Sequence, residues 1–173
     1  MKEETPSDEK STVDFLGNAM PSFDCMGCAI VGGKLQIPGG TIYEGENAII
    51  AADPKVPIPG FFIINAKNHV KSFSELSSDA RHEIIDIVAV TEKALRELDI
   101  TKEVTIVQEE RSQHLHVWVC PHYDWMDERF GKGVQHLRDI FDYVCDKSDQ
   151  ITTKKTLKTI DRVKNYIQLH FKK

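Results

Sequence analysis

The chain has 173 residues, of which 40% are apolar and 28% charged, with a formal net charge of −5 at pH 7; a mass of 19.7 kDa and a mean hydropathy of −0.35 suit one globular domain with an appendage. The acidic balance argues against a general nucleic-acid binder, which needs a basic surface to neutralise phosphates, and no apolar run approaches the roughly 18–20 residues that span a bilayer. The opening Met1-Lys2-Glu3-Glu4-Thr5-Pro6 lacks the apolar stretch of a secretory leader, so a cytoplasmic location is expected.

Residues 1–22 are polar, carry Pro6, Pro21 and the cluster Asp8-Glu9-Lys10, and are expected to form a loose arm. From Cys25 to Pro121 short apolar runs are punctuated by Gly and Pro. Thr41–Tyr43, Ala48–Ala52, Phe61–Ile64, Val104–Val107 and His114–Cys120 read as strands of a mostly antiparallel sheet. Between them Ser78 is expected to cap a helix running to about Leu98, with Ile84, Val88, Thr91, Leu95 and Leu98 on one face, packed on that sheet. Past Trp125 the period turns helical again, first over Val134, Leu137, Ile140, Phe141 and Val144, then over Leu157, Ile160, Val163, Ile167 and Phe171. The chain therefore divides into a polar arm (1–22), an α+β domain (23–125) and a helical C-terminal extension (126–173). Beyond residue 150 the extension is basic, with Lys154, Lys155, Lys158, Arg162, Lys164, Lys172 and Lys173 against Asp161. A solvated helix face or recognition of an anionic group accounts for that bias.

Four cysteines are too few for a disulfide scaffold of this length. Cys25 and Cys28 form a Cys-x-x-Cys pair that can supply half of a tetrahedral zinc site; a redox pair is disfavoured because the motif is not set in a strand–helix–strand pattern. His69 and His114 are available to complete a metal site. On a strand, His114, His116 and Trp118 share a face while Leu115, Val117 and Val119 take the other. Neutral imidazole attacks phosphorus near pH 7 and forms a labile phosphoramidate, so a strand-borne His-x-His pair suits phosphoryl or nucleotidyl transfer, although the same pair also occurs for structural reasons.

Taken together, Cys-Met-Gly-Cys-Ala-Ile-Val at 25–31, Ile42-Tyr43-Glu44-Gly45-Glu46, Ala51-Ala52-Asp53-Pro54, Pro59-Gly60-Phe61-Phe62-Ile63-Ile64, Lys67-Asn68-His69-Val70, Ser72-Phe73-Ser74-Glu75-Leu76 and His114 to Pro121 resemble, in order and spacing, the histidine triad proteins. The resemblance covers roughly 97 residues. It implies a histidine triad fold of the α+β class, with a five-stranded antiparallel sheet and a packed helix, in a homodimer with nucleotide pockets on the sheet. The implied activity is that of a nucleotide hydrolase or nucleotidyl transferase, acting at the α-phosphate of a nucleoside phosphoramidate, a dinucleoside polyphosphate or a nucleotide sugar through a covalent nucleotidyl-histidine. His116 then matches the nucleophile and His114 the first histidine. Asp53 matches the ribose-binding acid, Met26 and Ile30 match positions that line the base pocket although as apolar residues they equally suit plain core, and Cys25, Cys28, His69 and His114 match the ligands of a structural zinc ion.

Two departures stand out. Trp118 replaces the third histidine and cannot carry its proton or charge; it is expected to limit catalysis rather than to support the fold. The segment Gln108-Glu109-Glu110-Arg111-Ser112-Gln113 replaces a longer Gly-rich loop, with Gln108 in the place of an upstream Asn in the substrate site and Arg111, Ser112 or Gln113 as the candidate replacement donors to phosphate. These departures keep two other functions open, a nucleotide-binding module with little turnover and a zinc-stabilised interaction protein.

Overall fold

A computed structural model describes residues 12–171. Its centre is a five-stranded antiparallel sheet of order β3-β4-β5-β7-β6, formed by β3 (Thr41–Glu44), β4 (Ala48–Ala52), β5 (Phe62–Ala66), β6 (Val104–Val107) and β7 (His116–Pro121). Every residue of β4 and β5 is buried. That is why both segments read as near-continuous apolar runs instead of alternating: each is covered on two faces.

One face packs against α2 (Ser78–Glu97) and α5 (Gln150–His170). Ile50, Phe62, Ile64, Val117 and Val119 from the strands meet Ile84, Ile87 and Leu95 from α2 and Ile160, Val163 and Ile167 from α5 in a single core. The opposite face is covered by α3 (Asp124–Phe130) and α4 (Leu137–Lys147); Phe61, Ile63 and Cys120 there contact Met126, Ile140 and Val144 in a second core. The C-terminal helices thus occupy both sides of the sheet. A smaller cluster of Met20, Ala29 and Leu35 seats α1 (Met26–Val31).

Several boundaries differ from the sequence expectation, each for a local reason. The N-cap of α2 is Ser77, whose Oγ accepts from the Ala80 amide, one residue before the expected cap. Thr12–Val13 (β1) pairs with Ala19–Met20 (β2), so residues 12–22 are not a loose arm. The turn between these strands is closed by buried Asp14, which accepts from the Leu16 and Asn18 amides at 2.8 and 2.9 Å. Residues 1–11, the rest of the expected arm, and Lys172 and Lys173 of the basic series lie outside the described residues. The last strand begins at His116, not at His114, because the Ser112 hydroxyl accepts from the His114 amide at 3.2 Å and donates to the His114 carbonyl at 2.9 Å, holding His114 in a bend.

Candidate active site and metal centre

The Cys-x-x-Cys motif opens α1, a helix the sequence pattern did not suggest. Cys25 is its N-cap, and the Cys25 Sγ accepts from the Cys28 amide at 3.3 Å. The cap turns both sulfur atoms towards the end of β5 and the bend before β7. The ligand atoms of Cys25, Cys28, His69 and His114 lie within 4.8 Å of one another.

The Nδ1 of His114 is 3.5 Å from each sulfur, and the Nδ1 of His69 is 3.5 Å from Cys25 and 3.0 Å from Cys28. Tetrahedral zinc, with Zn–S near 2.3 Å and Zn–N near 2.0–2.1 Å, places N and S about 3.5 Å apart. Three of the four spacings match this edge and the Cys28–His69 pair is shorter at 3.0 Å, so the donor set fits zinc with sub-ångström shifts of the side chains.

The fit extends to the groups behind the ligands. The His114 Nε2 lies 2.6 Å from the Ala66 carbonyl, which can only accept; Nε2 therefore carries the proton and Nδ1 keeps its lone pair for a metal. Burial also holds the His114 imidazolium below its ordinary pKa, which favours the neutral ligand. Gly27 is the close-approach residue, since a Cβ there would run into the His114 ring. The Cys28 thiol is raised, first by its hydrogen bond to Cys25.

His116 opens β7 on the face opposite α2, half-buried. Its Nδ1 is 3.0 Å from the His114 carbonyl, so the same tautomer argument puts the proton on Nδ1 and the free lone pair on Nε2. One backbone carbonyl, that of His114, thus fixes the tautomer of His116, and the Ser112 hydroxyl shares it. Asp53 stands near enough for the His116 charge to act on its carboxyl group, yet burial dominates and raises the Asp53 pKa. Its Oδ1 accepts from the Lys55 and Val56 amides at 2.7 and 2.9 Å, which fixes the turn and leaves Oδ2 for another partner.

Trp118 lies beside His116, with ring centroids 5.9 Å apart. Its indole also packs edge-on against Phe61 and Phe141 under the Arg138 guanidinium. The expectation that it does not support the fold is corrected by this packing: Trp118 joins the second core to the site. Arg138 pairs with Glu109, as does Arg111, so Glu109, one of the two acids of the 108–113 segment, is neutralised from two sides.

The other expected residues are more scattered. The Gln108 amide donates to the Lys71 carbonyl at 3.5 Å, Gln113 is exposed, Met26 is 38% exposed, and Ile30 packs against the small cluster around Leu35. Sequence reasoning missed Asn65. It pairs with His116 in register, is 3% exposed, and its Nδ2 has no hydrogen-bond partner among the described residues. A polar residue inside the run Phe-Phe-Ile-Ile-Asn-Ala was the available signal.

No family sequence model matches the chain, and no curated protein matches it. Solved structures do. A zinc-bound histidine triad family protein from Mycobacterium smegmatis is 17% identical, with 82% of this chain and 96% of that chain covered at a TM-score of 0.56. A hypothetical histidine triad nucleotide-binding protein from Sulfolobus tokodaii is 18% identical over 83% and 94% at 0.58. A Hit-like protein involved in cell-cycle regulation from Bartonella henselae is 13% identical over 85% and 99% at 0.57. At these identities the likeness is one of fold, and it agrees with the antiparallel five-stranded sheet described above.

Proposed function

We propose that this chain, built on the histidine triad fold, is a zinc-containing nucleotide hydrolase or nucleotidyl transferase in which His116 forms the covalent intermediate. The observation that carries the reading is the His116 ring, whose protonated Nδ1 is fixed 3.0 Å from the His114 carbonyl while Nε2 keeps its lone pair. Nε2 attacks the α-phosphorus of a nucleoside phosphoramidate or dinucleoside polyphosphate, and the P–N or P–O bond to the leaving group breaks with its electrons on that group. Water then attacks phosphorus, the P–Nε2 bond breaks, and the nucleoside monophosphate leaves. In this reading the Asp53 carboxyl group, through Oδ2, takes the ribose hydroxyls, and Ser112, Gln108 and Gln113 are the residues assigned to the phosphate. Bound zinc would supply structure, tying α1 through Cys25 and Cys28 to the segment after β5 through His69 and to the bend before β7 through His114.

The reading includes a homodimer, supported by the unpaired outer edge of β6 and the 42% exposure of Ile106 on it, and a cytoplasmic location, supported by the free cysteines. No helix among the described residues is long and apolar enough to cross a membrane. Trp118 in the third-histidine position, packed edge-on against the stacked Phe61 and Phe141 rings, favours as the second reading a nucleotide-binding module with little turnover.

Purified protein incubated with adenosine and guanosine phosphoramidates and dinucleoside polyphosphates separates the two. We expect monophosphate release that is abolished in His116→Ala while nucleotide binding persists, and an acid-labile nucleotidyl adduct in intact-mass spectra of the wild type. Wild-type-like turnover in His116→Ala would sink the mechanism. Binding without turnover in the wild type selects the module.

A further inference from the structure

A cleft of about 940 Å3 opens between the Pro57–Pro59 loop, α3, α4 and the first turns of α5. Helix α4 separates it from His116. Arg138 and Phe141 meet Trp118 on one flank of that helix, whereas Tyr143 and Lys147 line the cleft from the opposite side of the helical wheel. The volume falls within the range of about 300–1,000 Å3 common for small-molecule sites.

The walls combine an aromatic floor with cations. Trp125 and Tyr143 have ring centroids 6.1 Å apart, and the Tyr123 hydroxyl donates to the Pro59 carbonyl at 2.6 Å, which locks the Tyr123 ring in place. The Arg129 guanidinium stands 4.2 Å from the Tyr143 centroid and the Lys155 ammonium 6.0 Å from that of Tyr123. Among the described residues neither cation forms a salt bridge. Lys147, whose ammonium pairs with Asp146 at 3.1 Å, adds a third cation to a lining whose one acid is Glu128, on a chain whose net charge is −5. Local positive charge on an acidic protein marks the cleft as complementary to an anion, and its half-buried aromatic lining of Tyr123, Trp125 and Tyr143 selects one that carries a planar ring.

We propose that this cleft binds a small aromatic phosphate, its ring stacked on Trp125 and Tyr143 and its phosphate held by Arg129, Lys147 and Lys155. The site is separate from His116 and does not depend on the chemistry assigned there.

The chain has two tryptophans, so in a Trp118→Phe background the fluorescence reports Trp125 alone. Titration with phenyl phosphate should change the emission saturably, with half-saturation below about 1 mM. Lys155→Glu, at an exposed position, should weaken this at least tenfold, whereas adding His116→Ala should leave it unchanged. Inorganic phosphate and benzyl alcohol, which each supply half of the ligand, should give no saturable change at the same concentrations.

If Trp118→Phe does not fold, the titration is read from the Trp125 indole N–H resonance of the wild-type chain. The proposal is overturned by no saturable response up to about 10 mM, by equal affinity in Lys155→Glu, by an equal response to either half of the ligand, or by loss of the response with His116→Ala. It is also overturned if emission changes on dilution without ligand, because a second copy of the chain then occupies the cleft.

Discussion

Single side chains at the site are held by contacts that make their substitutions readable. Gly27 touches the His114 ring so closely that a Cβ has no room, and that ring is already held from behind by the Ala66 carbonyl. Gly27→Ala must therefore move α1 or the imidazole. We expect zinc content per chain, measured by atomic emission, to fall at least severalfold, with far-UV circular dichroism nearly unchanged; full zinc occupancy in this variant would refute the assigned ligand set.

Asp53 gives a pH-dependent test. Burial raises its pKa in the folded state, so the folded protein holds this proton more tightly than the unfolded chain does. The contribution is fully present below the unfolded pKa, about 3.9, and is lost as pH rises through the folded value. Asp53→Asn keeps an oxygen for the Lys55 and Val56 amides and has no proton to lose. Its Tm should gain on the wild type as pH rises from about 4, with no relative gain below about pH 3. A wild-type advantage that grows with pH would contradict the assignment.

At the scale of elements, polar ties and caps set where helices start and stop. Glu83 of α2 is 1% exposed and accepts from the Asn47 amide and side chain at 3.1 and 2.8 Å, binding the helix to the β3–β4 turn. Glu83→Ala strands those donors, and a loss of about 2–3 kcal/mol in chemical denaturation is expected; a change below the error of that method would leave the tie without energetic weight. The far end of α2 closes with the Ile100 amide on the Leu95 carbonyl and the Asp99 amide on the Arg96 carbonyl, a Schellman closure that puts Asp99 at φ 52°. Glycine adopts that conformation without a Cβ penalty, so Asp99→Gly should raise Tm by about 1–3 °C, and an unchanged or lower Tm would count against strain there.

The course of α2 was legible because Ile84, Val88, Thr91 and Leu95 repeat at helical spacing and all four are buried. The helix at the Cys-x-x-Cys motif was not. Six residues carry too little periodicity to show it, and a sulfur atom serves as its cap.

Across the whole molecule the C-terminal segment is part of the core. Ile160, Val163 and Ile167 are fully buried with the strands and α2, Gly39 at φ 80° leaves space that Ile160 fills, and the Thr156 hydroxyl and Arg162 guanidinium donate to the Pro57 and Leu98 carbonyls. Truncation after residue 148 removes all of these at once. Each large buried aliphatic contributes about 2–5 kcal/mol against a typical total of 5–15 kcal/mol, so the truncated chain should not give a cooperative thermal transition. A stable, cooperatively melting 1–148 fragment would show that the domain folds without its extension.

The sequence alone determined the approximate course of the five strands of the main sheet, α2, and the order of motifs from Cys25 to Pro121, because period-2 and period-3.6 patterns and capping residues are local properties of the chain. It also supplied the four residues of the Cys/His cluster and the candidate nucleophile. Tertiary structure decided what those residues face. It bent His114 off the strand so that its ring meets Cys25 and Cys28, put the His114 carbonyl behind His116, placed Asn65 opposite that ring, and brought Arg138 from a distant helix onto Trp118 and Glu109. It also split the extension between the two sides of the sheet. These outcomes join residues up to about a hundred positions apart, as Thr156 and Pro57 are, and chain order carries no distance between such residues until the two cores close around the sheet.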